Sequence, residues 1–295
     1  MATTTQVSTV EADGLTIFYR TAGPSAPTAP TVLLLHGFPS SSHMFRNLIP
    51  LLASRGYRVV APDLPGFGFT AVPAARRYAY TFASLAATLA AFADALALRR
   101  YAIYVFDYGS PSGLRLALSR PAAVAAVVTQ NGNAYAEGFG AGFWAPVRDF
   151  WASPGAPADR EALGAMALSP EAVRWQYQNG SPHPARLQPE AWTLDLALLG
   201  EPGRAEAQLD LFYDYRTNVA LYPDFQKFLR ESGVPVLAVW GKNDEIFVPA
   251  GAEAFARDVE KFELRWLDAG HFALETNEEE VAEAMHAFFQ KYHVF

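Results

Sequence analysis

The chain has 295 residues, 51% of them apolar, which is enough for one large α/β domain carrying an insertion. Its 23 basic and 30 acidic residues leave a net charge of −7, which argues against a nucleic-acid or anionic-membrane partner. With no cysteine it can have no disulfide, no thiol catalysis and no cysteine-based zinc site, and it fits a reducing compartment.

Taken in chain order, Met1–Val10 is polar and unlike a secretory signal. Leu15–Tyr19 reads as a first strand, and Ala22–Ala29, rich in Pro and Ala, as a loop. Thr31–Leu35 is a continuous apolar run that ends in His36-Gly37-Phe38-Pro39. A helical pattern over Met44–Ser54 leads to a strand at Tyr57–Ala61, then Pro62-Asp63-Leu64-Pro65-Gly66-Phe67-Gly68. A second helix is expected over Phe82–Leu96, a strand over Arg100–Phe106, a helix over Pro111–Ser119 and a strand over Ala125–Gln130. Val234–Trp240 and Phe262–Leu267 are the last strands, and Glu278–Gln290 is an amphipathic closing helix. Apolar strands alternating with helices imply an α/β fold with a mainly parallel sheet flanked by helices. No apolar run reaches the roughly 18–20 residues of a membrane span, so a cytoplasmic protein is expected.

The alternation breaks after the Ala125–Gln130 strand. Residues 134–224 hold Trp144, Trp151, Trp175 and Trp192 with many Pro and Gly, and read as an inserted helical cap. Residues 1–133 and 225–295 form the core. An aromatic-rich cap over a core suggests an apolar cavity for a hydrophobic small molecule, with Trp151, Trp175 and Tyr177 as candidate lining residues.

Asp107 carries the most chemistry. A strand, an abrupt Gly-containing turn and a helix form the elbow that presents a nucleophile, and the tip here reads Val105-Phe106-Asp107-Tyr108-Gly109. A carboxylate at that tip can attack sp3 carbon, open an epoxide or displace a halide, and leave an ester on the enzyme. The competing reading makes Asp107 a cap of the following helix. Ser110 and Ser112 fit the elbow less well, because Tyr108 precedes the first by two residues and Leu114 follows the second by two.

Such a nucleophile needs a base for water, a group that orients the base, and donors for the oxyanion. His271, in Gly270-His271-Phe272 just past the last strand, is the candidate base. His43, His183, His286 and His293 lie in helical or surface-like surroundings. Asp244, in Trp240-Gly-Lys-Asn-Asp244, is the candidate acid, with Glu245 and Glu137 as rivals. The backbone N–H groups of Phe38 and Tyr108 can form the oxyanion hole, and Pro39 is a candidate cis proline.

The order nucleophile, acid, histidine is that of the α/β-hydrolase fold. The chain resembles the epoxide hydrolase and haloalkane dehalogenase branch of that fold. The matching residues are His36-Gly-Phe-Pro39, Asp63-Leu-Pro-Gly-Phe-Gly68, Asp107-Tyr-Gly109, Gly241-Lys-Asn-Asp244 and Gly270-His271-Phe272, which span most of the chain outside the cap. Leu211-Phe-Tyr-Asp-Tyr215-Arg216 resembles the cap segment that carries the proton-donating tyrosine of epoxide hydrolases, so the resemblance gives that role to Tyr215. The second tyrosine of such enzymes has no counterpart near Phe150-Trp151, where Tyr177 or Tyr135 would have to replace it. The Trp and Asn that bind halide in dehalogenases are replaced by Tyr108 and Phe38, which leaves Trp144, Trp151 or Trp175 for that task, whereas Val105-Phe106-Asp107 is closer to the dehalogenase elbow. Fluoroacetate dehalogenases carry arginines where Tyr108 and Pro111 stand. The resemblance implies an epoxide hydrolase that needs no metal or organic cofactor. A haloalkane dehalogenase with an atypical halide site is the alternative, and a non-catalytic ligand sensor is a third reading.

Overall fold

The structure is a computed structural model that describes residues 3–153 and 156–295. In chain order the elements are β1 (Gln6–Ala12), β2 (Leu15–Ala22), β3 (Thr31–Leu35), α1 (Leu48–Ser54), β4 (Arg58–Pro62), α2 (Phe82–Ala95), β5 (Tyr101–Phe106), α3 (Gly109–Ser119) and β6 (Val124–Gln130). Six helices follow: α4 (Ala141–Ala152), α5 (Pro157–Ala167), α6 (Pro170–Gln178), α7 (Pro189–Leu199), α8 (Arg204–Asp214) and α9 (Arg216–Glu231). The chain then returns through β7 (Val236–Gly241), α10 (Pro249–Ala254), β8 (Phe262–Leu267) and α11 (Glu278–Lys291).

The strands form one sheet in the order β1-β2-β4-β3-β5-β6-β7-β8. β1 and β2 run antiparallel, β2 meets β4 antiparallel, and every pairing from β4 to β8 is parallel. All residues of β3, β5, β6 and β7 are buried, as expected when helices cover both faces and leave no solvated side for polar alternation. The chain moves outward from β3 to β4 and then in the other direction from β5, so the loops after β3 and β5 diverge and leave a crevice at the carboxyl edge. That switch point is where a parallel sheet offers room for a ligand.

Three local expectations change. The polar N-terminal stretch contains β1, an edge strand paired to β2 from Gln6 opposite Thr21 to Ala12 opposite Leu15. It is mostly exposed, so it lacks the apolar signal of the inner strands. Its turn, Asp13-Gly14, has positive φ at both residues (53° and 72°), which suits a tight hairpin. The helix expected over Met44–Ser54 divides into a short 3-10 turn, Ser42–Phe45, and α1. Pro50 has no N–H and is best tolerated in the first turn of a helix, and the helix restarts just before it. α3 starts at Gly109, not near Pro111, because the chain turns into helix directly after the elbow.

The helical run between β6 and β7 lies where the insertion is expected. α9, however, continues unbroken through Asp224 to Glu231, so a boundary at 224 would cut a helix that carries the interior Pro223. Among the described residues, no helix is long and apolar enough to cross a membrane.

Candidate active site

Asp107 sits between β5 and α3 with φ of 48°, a conformation that costs a non-glycine residue about 1–2 kcal/mol. Packing holds the elbow in this shape. A Cβ on Gly109 would strike the Leu35 carbonyl, and one on Gly113 would come within 2.6 Å of Val105 Cγ1, so Gly113 makes the room that the bulky Val105 needs. The carboxylate does not cap α3. Its Oδ1 turns to the neighbouring loop, where it accepts the Phe38 N–H at 2.6 Å, with a further bond from the Tyr108 N–H. Both expected oxyanion donors therefore reach the Asp107 carboxylate, that of Phe38 at Oδ1. The Phe38–Pro39 peptide is cis.

Ser110 and Ser112 turn their hydroxyls to backbone carbonyls and not to His271. The Ser110 hydroxyl donates to the Asn133 carbonyl and the Ser112 hydroxyl to the Tyr108 carbonyl.

His271 follows β8 and is 3% exposed. Its Nδ1 faces Asp244 Oδ2 at 2.8 Å, and its Nε2 lies 3.9 Å from Asp107 Oδ2 without a hydrogen-bond partner. The arrangement sets the tautomer: a carboxylate can only accept, so the neutral ring carries its proton on Nδ1 and presents a lone pair at Nε2. Asp244 is held in turn by the Ile246 N–H at 2.7 Å and by Asn131 Nδ2 at 2.7 Å. The rival acids lie elsewhere. Glu137 is about half exposed and pairs with Arg257, and Glu245 points away on the exposed side of the loop.

The electrostatics suit the geometry. Burial raises the Asp107 carboxyl to about 6, against the opposing pull of His271 and the two N–H groups. Burial disfavours the His271 cation, but Asp244 and Asp107 outweigh it and the imidazole is raised. Burial also raises Tyr215 well above the usual phenol, so it keeps its proton at neutral pH.

Tyr215 is fully buried at the junction of α8 and α9. Its ring lies 5.8 Å from that of Tyr108, beside the elbow, and 6.4 Å from Phe247, which packs on His271 at 6.0 Å. Phe38, Phe212 and Phe82 complete an apolar wall around Tyr108.

The other lining candidates are placed differently. Tyr177 stacks on Phe272 at 3.8 Å and donates its hydroxyl to Asp195, so that group is spent inside the helical insertion and not turned to Asp107. Trp151 lies parallel to Tyr215 at 6.4 Å, but its indole N–H donates to the Phe212 carbonyl. Trp144 donates to the Ile246 carbonyl. Trp175 is 38% exposed and lines a separate cavity of about 750 Å³ with Phe143, Met166, Gln176, Glu245 and Val248. Neither Asp107 nor His271 belongs to that cavity's wall. Tyr135 packs against Phe255, away from the elbow.

Sequence reasoning missed Asn131, Asn133 and Tyr222. The first two follow β6 directly in Gln130-Asn131-Gly132-Asn133, a run of buried polar residues at the carboxyl edge of the sheet and a usable signal. Asn131 holds Asp244 and also accepts the Gly241 N–H. Tyr222 lies on α9 with its hydroxyl 3.4 Å from that of Tyr215.

Gly37 brings the loop against the elbow. A Cβ there would collide with the Asp107 carboxylate and lie 2.6 Å from the Tyr108 nitrogen. Gly37→Ala should therefore lower turnover about 10²-fold or more by displacing the Phe38 N–H, while circular dichroism stays native. Retention of wild-type turnover would refute the need for this close approach.

A family model described as the alpha/beta hydrolase fold matches residues 30–278 of the chain. An uncharacterized hydrolase of Saccharomyces cerevisiae is 48% identical over 278 residues, covering 94% of each chain. A haloalkane dehalogenase of Psychrobacter cryohalolentis is 39% identical over 117 residues, which is 40% of this chain and 38% of that one. Among solved structures, potato (Solanum tuberosum) epoxide hydrolase I is similar with a TM-score of 0.76 at 22% identity, covering 98% of this chain and 100% of the other.

Proposed function

The chain belongs to the alpha/beta hydrolase fold family and is a hydrolase, and from that premise we propose that it opens an epoxide to a vicinal diol through an ester on Asp107. The observation that carries this reading is the buried phenol of Tyr215 in the aromatic wall beside the elbow, with Tyr222 as the only hydrogen-bond partner of its hydroxyl among the described residues.

Asp107 Oδ2 attacks an epoxide carbon and the C–O bond breaks. The strained oxygen takes the Tyr215 proton and becomes a hydroxyl. His271 Nε2 then removes a proton from water as the water oxygen bonds to the Asp107 carboxyl carbon. The N–H groups of Phe38 and Tyr108, which already bond the Asp107 carboxylate, hold the negative charge that develops on Oδ1. Collapse returns the His271 proton to the departing alkoxide and releases the diol. The new carboxyl of Asp107 ionises, and Tyr215 recovers its proton. Forming the ester cancels the negative charge on Asp107, one of the groups that raise His271, so the base becomes less basic and more fully neutral at the step that needs it neutral. The helical insertion serves as the cap that carries Tyr215.

Halide displacement is the weaker reading. The indole N–H groups of Trp144 and Trp151 are already given to backbone carbonyls, and Trp175 opens on a different cavity. It is supported by the Tyr108 hydroxyl, buried beside Asp107 without a partner, by the Val105-Phe106-Asp107 elbow and by the partial match to haloalkane dehalogenases.

The direct test is turnover of styrene oxide, scored as diol, in parallel with 1-bromobutane, scored as bromide. Diol without bromide is expected, and bromide without diol would overturn the reading. Tyr215→Phe keeps the ring packing and removes the proton, so diol formation should fall about 10²- to 10⁴-fold, the usual worth of a positioned general acid. An unchanged rate would remove Tyr215 from the mechanism.

A further inference from the structure

The Tyr215 hydroxyl belongs to a hydrogen-bond chain whose direction can be worked out atom by atom. It begins at Asn133, which is fully buried behind β6. The Asn133 amide is fixed at both ends by the backbone of Tyr135. Its Nδ2 lies 2.8 Å from the Tyr135 carbonyl oxygen, and its Oδ1 accepts the Tyr135 N–H at 3.3 Å. A carbonyl only accepts and an N–H only donates, so the amide cannot be flipped without breaking both bonds.

One hydrogen of Nδ2 is used on Tyr135. The other is directed at the Tyr222 hydroxyl at 3.2 Å. An amide nitrogen cannot accept, so Tyr222 accepts here and must send its own proton elsewhere. Among the described residues the remaining hydrogen-bond partner of its hydroxyl is that of Tyr215 at 3.4 Å. Tyr222 therefore donates to Tyr215, and the Tyr215 proton is not consumed within the protein.

The support around this chain is rigid. Tyr222 is 3% exposed and stacks on Phe139 at 6.0 Å with an interplanar angle of 15°. Gln226, one turn further along α9, donates to the Ala134 carbonyl and ties the helix to the Asn133–Tyr135 segment. A Cβ on Gly138 would collide with Asn133 Oδ1, so this glycine lets the loop close over the amide.

We propose that Asn133 and Tyr222 are positioning residues that polarise Tyr215 in one direction, leaving its proton free for the substrate oxygen and stabilising the phenolate left behind. The inference rests on the epoxide reading. In the opening step the O–H bond of Tyr215 breaks, its proton goes to the epoxide oxygen, and the phenolate oxygen keeps the Tyr222 hydrogen bond, now charge-assisted and stronger. Ester hydrolysis uses His271 and the Phe38 and Tyr108 N–H groups, and makes no demand on this chain.

The test separates the two chemical steps. Tyr222→Phe preserves the ring and deletes the donor. In single-turnover experiments with styrene oxide, formation of the ester on Asp107, followed by intact mass, should slow about tenfold or more, the effect of losing one hydrogen bond to a charged group. Hydrolysis of the ester should stay within about twofold of wild type. In a Tyr215→Phe background the second substitution should slow ester formation no further, because the chain then ends on no phenol. Equal slowing of both steps, additive loss with Tyr215→Phe, or no effect would each overturn the inference. If the wild-type protein forms no diol, the epoxide reading itself fails and the inference with it. A wild type that forms diol beside a Tyr222→Phe variant with unchanged ester formation removes the inference alone.

Discussion

Asp107→Asn should abolish turnover, by about 10⁴-fold or more, and at the same time stabilise the fold above pH 6. The loss follows from the chemistry: an amide offers no carboxylate oxygen to attack carbon, and the remaining oxyanion donors have nothing to stabilise. The gain follows from burial. The Asp107 carboxyl is held at about 6, above its ordinary value, because desolvation outweighs its favourable partners. That elevation corresponds to about 3 kcal/mol of penalty on the ionised form. The sign is fixed by proton binding. Between about pH 4 and pH 6 the folded state binds more protons at this site than the unfolded state, so the Asp107 contribution to stability falls as pH rises and the penalty is complete above pH 6. Asp107→Asn lacks it. Melting curves at pH 8 should place the variant above wild type, and the difference should shrink near pH 4. A variant less stable than wild type at pH 8 would mean that the carboxylate is better solvated or better paired than its surroundings indicate. Substantial residual turnover would remove it as the nucleophile.

His271→Gln should do the opposite kinetically: it should react once and stop. Asp107 can still attack, and the N–H groups of Phe38 and Tyr108 still bond its carboxyl group, but no base remains to activate water. The intact protein should gain the mass of one styrene oxide, and diol release should fall about 10³-fold or more. The same variant has a readable pH dependence. Ester formation needs ionised Asp107, so in wild type it declines as pH falls through about 6. His271 is among the groups that hold the Asp107 carboxyl down, and without it the carboxyl rises further and the decline should begin at higher pH. Failure to accumulate any adduct while diol production continues would show that His271 is not the base.

The difference between these outcomes bears on what was legible in the residues. Asp107 directly follows β5, and Asp244 and His271 lie within four residues of the ends of β7 and β8; parallel strands end on one edge, so local pattern brings them to it. Their contacts then follow: 2.8 Å from His271 to Asp244 and 3.9 Å from His271 to Asp107. The aromatic residues between 134 and 224 carry no such constraint. Trp144, Trp151, Tyr177 and Tyr215 are equally plausible as lining residues by composition. What separates them is whether the indole or phenol finds an acceptor far away in the chain: Ile246, Phe212 and Asp195 claim the first three. Tyr222 looks like any packed aromatic of an amphipathic helix until its hydroxyl is found between the Asn133 amide and the Tyr215 hydroxyl, 89 and 7 residues away.

The mainly parallel sheet, the elbow at Asp107 and the chain order of the candidate residues Asp107, Asp244 and His271 were legible in the sequence itself, because hydrophobic runs, glycines and strand-end polar residues are local features that admit few arrangements. The edge hairpin of β1 and the division of the helix at Pro50 were equally local, written in Asp13-Gly14 and in a missing N–H. Only the tertiary structure decided which oxygen of Asp107 is cradled and which faces His271, which cap aromatics keep a free donor, and that Asn133 and Tyr222 converge on Tyr215. Those are pairings between groups distant along the chain, and a hydrogen bond acquires its direction only when both partners and the rest of their obligations are in place.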